Sequence, residues 1–303
     1  MRTVALVGYG EVGRILAEDL RAADVEVSAW DRALDTDPVR AAGMREHARA
    51  HGVRLDASAP DAVHGAALVV SAVTASQTLQ AAADCVQGLC PGVFFLDLNS
   101  ASPGTKQQAA RQVEQAGVRY VEGAVMTSLP PYRIRVPMLL GGPHAQALEA
   151  PLQGLGFAAR FHDARLGVAS ATKMCRSIMI KGIEALVVES FTAARHYGVE
   201  DAVIASLQET FPGIDWEKQG SYFFQRVIEH GRRRSEEMVE VARTVAEAGL
   251  EPFAADASAR RQARMAELGD AGVFGARHSP TFARSADWRD EADRLLAAQH
   301  HED

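Results

Sequence analysis

The stretch Thr3-Val-Ala-Leu-Val-Gly8-Tyr9-Gly10-Glu11-Val12-Gly13-Arg-Ile-Leu-Ala-Glu-Asp-Leu20 (TVALVGYGEVGRILAEDL) decides the fold. Thr3 and four apolar residues make a short buried strand, and from Glu11 onward the apolar residues recur at helical spacing. Between them lies G-x-G-x-x-G. Gly8 allows the tight turn, Gly10 lets the backbone approach a pyrophosphate, and Gly13 lets helix and strand pack closely. Tyr9, Glu11 and Val12 complete the turn, and the helix start offers free N–H groups and the positive end of its dipole. Asp31 ends the next apolar run, 18 residues after Gly13. An acid there accepts hydrogen bonds from the adenosine ribose and repels a 2′-phosphate, which favours NAD. Arg32 follows directly and suits NADP if Asp31 turns aside, or is simply a solvated charge.

Working outward, short apolar runs at 3–8, 25–30, 67–73, 93–98 and 119–125 read as strands covered on both faces. Helical stretches at 11–23 and 103–117 separate them, the second punctuated by Pro103 and Gly117. A last pair of strands, 137–142 and 156–161, brackets another helix. Such alternation gives a mostly parallel, doubly wound sheet. Ligands in such sheets sit at the carboxyl ends of strands, which selects Ser71, Val73 and Thr74 for the cofactor and Asn99 and Ser100 for the substrate side. The competing reading of this last stretch is a helix cap by Ser100 or Ser102.

Beyond about residue 165 the strand patterns stop, and 168–198, 221–249 and 258–272 read as helices. The expected organisation is therefore an α/β Rossmann domain over 1–165 and an all-helical substrate and dimerisation domain over 166–303, with a polar, loosely held tail past Asp287. The 303 residues are 47% hydrophobic, enough for a substantial core. A net charge of -7 argues against nucleic acid as a partner. Three scattered cysteines suit a reducing compartment, and neither a signal peptide nor a membrane-length apolar run is legible, so a cytoplasmic protein is expected. No residue spacing suggests a metal site.

Gly167-Val-Ala-Ser-Ala-Thr-Lys173 places one lysine among small residues. Small neighbours leave room for a cofactor ring and a small substrate to reach the amine. The plain alternative is a lysine snorkelling at a domain seam.

The motif order resembles the β-hydroxyacid dehydrogenases, which include 3-hydroxyisobutyrate and 6-phosphogluconate dehydrogenases. G-x-G-x-x-G is followed by Asp97-x-Asn99-Ser100-x-x-Pro103, by EGAVM (122–126), and by Gly167-x-x-x-x-x-Lys173 opening the helical half. KMCRSIMIKGIEAL and EHGRRRSEEM point to an uncharacterised 6-phosphogluconate dehydrogenase-like branch. The resemblance implies that Lys173 is the catalytic acid/base, that Asn99 and Ser177 assist it, and that Ser100, Met126 and Thr127 line the substrate site. The family has asparagine where Ser177 stands, so Arg176 is expected to compensate by gripping a carboxylate. Arg232 to Arg234 add candidate anion contacts, Arg233 foremost; a charged helix face is the alternative. Lys181 and Glu184 are read as an i,i+3 pair.

The implied function is hydride transfer between NAD or NADP, with NAD favoured, and a small β-hydroxy acid or its keto acid. The runners-up are imine or ketone reduction on the same scaffold and a non-catalytic dinucleotide sensor. A homodimer through the helical half is expected by analogy.

Overall fold

The computed structural model describes residues 1–277, 279, 282, 283, 285 and 287–299. The chain divides into two compact units, Met1–Cys175 and Arg176–Asp303, so the division falls inside a helix rather than before it as the sequence suggests.

In chain order the first unit runs β1 (Thr3–Val7), α1 (Glu11–Ala22), β2 (Glu26–Trp30), α2 (Ala33–Thr36), α3 (Pro38–His51), β3 (Arg54–Leu55), α4 (Ala59–Val63), β4 (Leu68–Ser71), α5 (Thr78–Cys85), β5 (Phe94–Asp97), α6 (Pro103–Glu114), β6 (Arg119–Val125), β7 (Met138–Gly141), α7 (Ala145–Gly154) and β8 (Ala159–Asp163). The strands form one eight-stranded sheet in the order β3-β2-β1-β4-β5-β6-β7-β8. Every pairing is parallel except β6 with β7. Apolar side chains alternate between two buried clusters, Val4 and Leu6 in one and Ala5 and Val7 in the other, as a sheet covered on both faces requires. The order in which successive strands are added reverses between β1 and β4, the switch point where such sheets open a crevice.

Register places one row of residues across the carboxyl ends of β1, β4 and β5 and the middle of β6. Val7 pairs with Ser71, Ser71 with Asp97, Asp97 with Glu122, and Glu122 with Gly141 on β7. Ser71, Asp97 and Glu122 are all buried. Three polar side chains in adjacent strands of a covered sheet need partners, and those partners build the site.

α8 (Val168–Tyr197) runs through the division into the second unit, which continues with α9 (Glu200–Thr210), α10 (Trp216–Glu247), α11 (Phe253–Asp270) and α12 (Trp288–Gln299). Of the tail expected to be loosely held, residues 288–299 form α12, and 300–303 lie outside the described residues. Trp288, Ala292 and Leu295 are buried, and the Trp288 ring lies 4.8 Å from that of Phe191 and 5.9 Å from that of Phe224. No helix among the described residues is long and apolar enough to cross a membrane.

Candidate active site

The glycine turn is sterically tight at Gly8 and Gly13 and open at Gly10. Gly8 is left-handed (φ +97°), and a Cβ there would lie 2.4 Å from the Ala72 carbonyl oxygen on the neighbouring strand end. A Cβ on Gly13 would lie 2.1 Å from the Gly8 carbonyl oxygen, so only glycine lets α1 start this close to the turn. Gly10 is the N-cap of α1, has open space where a side chain would be, and leaves the helix without a side-chain cap. Uncapped amides beside an open cradle fit a pyrophosphate.

The Asp31 carboxylate lies against this turn. One oxygen accepts from the Tyr9 amide at 2.8 Å and the other from the Ala33 amide at 2.8 Å. A carboxylate has about four lone-pair directions, so acceptor capacity remains for a ribose hydroxyl. Arg32 is exposed and engaged by Gln77 (2.8 Å) and Asp84 (3.4 Å). Tyr9 gives the turn its backbone and not its phenol. The ring is buried, its hydroxyl meets His47 Nδ1 at 2.9 Å, and burial raises its pKa to about 12. Glu11 is exposed and Val12 half-buried.

His47 also hydrogen-bonds Glu18 at 2.9 Å, while Arg133 grips Glu18 and Asp19. The His47 hydrogen bond, then that of Arg133, hold the Glu18 carboxyl below its ordinary pKa. Glu18, His47 and His51 bring potential ligand atoms within 4.8 Å of one another, but those of Glu18 and His47 are already hydrogen-bonded. Arg133, on the loop after β6, is thus committed to α1.

At the ends of β4 and β5, Asn99 is buried with both ends of its side-chain amide engaged. Its oxygen accepts from the Val73 amide at 2.7 Å and its nitrogen donates to Ser71 Oγ at 3.0 Å. Asn99 and Ser71 therefore lock two strand ends together, and Thr74 lies exposed beyond them. Beneath, Asp97 binds Lys106 Nζ at 2.8 Å and accepts from Tyr120 Oη at 2.6 Å and the Asn99 amide at 2.9 Å. Lys106 and Asp97 are each 1% exposed. The Tyr120 phenol stays protonated well above its usual range, through burial first and the Asp97 charge second. Ser102, not Ser100, caps α6, accepting from the Thr105 amide at 3.2 Å.

Ser100 is thereby left to meet Lys173, whose Nζ donates to Ser100 Oγ at 2.6 Å. This joins two of the residues selected from sequence across 73 positions. The small residues ahead of Lys173 have a second reason to be small. Buried Glu122 receives the amides of Gly167 (2.8 Å), Ala169 (3.1 Å) and Ser170 (3.2 Å) and the Ser170 hydroxyl (2.6 Å). Ala169 and Ser170 thus serve the seating of α8 on the sheet. Sequence reasoning passed over Glu122; its only signal was an acid inside an apolar strand. Met126 is half-buried, its amide bonded to the Pro137 carbonyl at 3.0 Å, and Thr127 is exposed.

The remaining candidates lie in the helical unit. Ser177 is buried and accepts from Lys181 Nζ at 3.3 Å, and Arg176 is exposed. The expected Lys181–Glu184 pair is not formed: Lys181 binds Glu237 at 2.8 Å and Glu184 pairs with buried Arg234. Burial lowers the Lys181 pKa against the opposing pull of Glu237. Arg233 pairs with Glu237 at 2.8 Å and Arg232 with Asp270. The arginine run is therefore paired within its own unit, the charged-face alternative to an anion site.

Residues 3–130 match the NAD binding domain of 6-phosphogluconate dehydrogenase, and residues 194–265 match a domain of unknown function, DUF1932. A conserved hypothetical protein of Sinorhizobium meliloti 1021, known as a crystal structure, is 32% identical with a TM-score of 0.74, the alignment covering 98% of this chain and 96% of that one. An uncharacterized 28.5 kDa protein of Methanothermus fervidus is 26% identical over 82% of this chain and 93% of its own length. A probable 3-hydroxyisobutyrate dehydrogenase of Mycobacterium tuberculosis is 23% identical over 66% of each.

Proposed function

The chain belongs to the β-hydroxyacid dehydrogenase family, and from that premise we propose that it transfers hydride between NAD or NADP and a small β-hydroxy acid or its keto acid, with Lys173 as general acid/base. The observation that carries the proposal is the 2.6 Å bond from Lys173 Nζ to Ser100 Oγ, at the carboxyl end of β5. It sets an amine and a hydroxyl side by side at the strand ends where ligands of such sheets bind.

The family's cofactor is NAD or NADP, and when bound it supplies or accepts the hydride. Gly8, Gly10 and Gly13 would hold its pyrophosphate at the start of α1, with Asp31 on the adenosine ribose. In the oxidation direction the substrate hydroxyl takes the place of Ser100 Oγ as partner of Lys173, and the neutral amine removes its proton as hydride leaves the carbon. In reduction the ammonium returns that proton to the carbonyl oxygen. Asn99 and Ser71 act behind this pair, fixing the strand ends. Asp31 against the turn, with Arg32 drawn to Gln77 and Asp84, favours NAD.

The test is nicotinamide reduction by purified protein with a panel of 3-hydroxy acids, NAD against NADP. Turnover of a member of the panel that is lost in Lys173→Ala supports the reading. Turnover that survives Lys173→Ala refutes the mechanism, and cofactor binding without turnover of any compound favours a sensor. A homodimer is part of the proposal. Met179, Leu186, Val239 and Phe253 expose large apolar side chains on the helical unit; a monomer by light scattering would reject it.

A further inference from the structure

We propose that Glu122 is a positioning residue for Lys173, clamping the start of α8 so that the amine is presented at Ser100; this rests on the function proposed for Lys173. A helix leaves its first N–H groups without partners, and a Ser, Thr, Asp or Asn at the N-cap ordinarily accepts from them. α8 begins after Gly167, which has no side chain to offer and is left-handed at φ +102°. The acceptor comes instead from the sheet, 45 residues earlier in the chain. Glu122 takes the amides of Gly167, Ala169 and Ser170 together with the Ser170 hydroxyl, four donors on one carboxylate.

Its burial makes this arrangement informative. Glu122 is 0% exposed and has no ion-pair partner among the described residues, whereas its register neighbour Asp97 is neutralised by Lys106. A buried carboxylate is tolerated only where its charge is answered, and here the positive end of α8 answers it. Room for it is provided across the β6–β7 pairing. A Cβ on Gly141 would lie 2.3 Å from Glu122 Oε1. Lys173 follows Ser170 within one turn, so a shift of the clamped turn moves the amine with it. On the other side, Ser100 sits on a loop fixed by Asp97 and Asn99. Both partners of the Lys173–Ser100 bond are thus held from behind by adjacent buried carboxylates.

The experiment compares wild type with Glu122→Gln, Gly141→Ala and Ser170→Ala in the full-length protein. Glu122→Gln keeps the shape but turns an NH₂ toward amide donors. Gly141→Ala displaces Glu122 without altering it, and Ser170→Ala removes one donor only, so at least one variant folds. Four quantities are read: kcat, KM, cofactor Kd, and the rate at which limiting acetylating reagent labels Lys173 relative to exposed Lys218, by mass spectrometry. The expected result is a fall in kcat on the order of 10²-fold for Glu122→Gln. Gly141→Ala should follow it and Ser170→Ala lose less, with KM and cofactor Kd nearly unchanged and Lys173 labelled faster relative to Lys218. Variants that melt earlier but keep kcat and the labelling ratio would reduce Glu122 to a structural cap and overturn the proposal. If the wild type turns over no member of the panel, the proposed function fails; the labelling ratio still decides whether Glu122 sets the position of the Lys173 amine.

Discussion

In the Rossmann unit, Asp97 and Glu122 lie side by side on adjacent strands, each taking several hydrogen bonds from backbone and side chains. In the helical unit the buried charges Lys181, Glu184 and Arg234 and the half-buried Glu237 answer one another across α8 and α10. The same kind of residue does different work in the two places. Around Asp97 the neighbours of the ion pair belong to the proposed site: Asn99 precedes Ser100, and Tyr120 braces the strand behind. Around Glu184 the neighbour is the opposite charge. A charge pair of that second kind can give way to apolar residues, because no other donor among the described residues depends on it.

That difference can be broken experimentally, and the largest effect belongs to the Rossmann unit. Replacing both members with Asp97→Leu and Lys106→Met should destabilise the protein by more than about 3 kcal/mol in urea titration, since the Tyr120 hydroxyl and Asn99 amide are left buried without an acceptor, at about 1–3 kcal/mol each. Full stability in this double variant would show that the pair is replaceable after all. In the helical unit, Arg234→Met alone should cost about 3–5 kcal/mol, because Glu184 is left buried and uncompensated. Adding Glu184→Leu should restore most of that loss; failure to recover would mean that the helical pair carries obligations like those of Asp97. The smallest effect is at Glu18. Its folded-state pKa lies below its ordinary value of 4.5 because of His47 first and Arg133 second. The stability it contributes is therefore complete above about pH 4.5. It is lost as pH falls through the depressed folded value, and amounts to less than about 1 kcal/mol for a partly exposed pair. Glu18→Gln should remove this acid-limb component from the pH-stability curve, and an unchanged curve would contradict the assignment.

The same contrast explains what the sequence disclosed. Strands buried on both faces leave continuous apolar runs, so β1, β2, β4, β5 and β6 were legible, and the glycine turn was legible because sterics there admit no other residue. β3 has two residues and α9 has one buried residue, the charged Glu200, so neither leaves a clear apolar pattern. α12 did carry a signal, Trp288, Ala292 and Leu295 at helical spacing, masked by the charges between them. Lys173 and Ser100 could each be selected from local sequence. That Asn99 spends its amide on Val73 and Ser71, and that Glu122 caps α8, depend on strand register, which no local window contains.

The central claim is that the Lys173 amine moves the substrate proton at the end of β5. Single-turnover formation of reduced nicotinamide, measured with cofactor-saturated wild type and Lys173→Ala and the best substrate of the panel, tests it most directly. The account predicts a hydride-transfer rate lower by about 10²- to 10⁴-fold in the variant, with cofactor affinity retained. An unchanged rate in Lys173→Ala would contradict it.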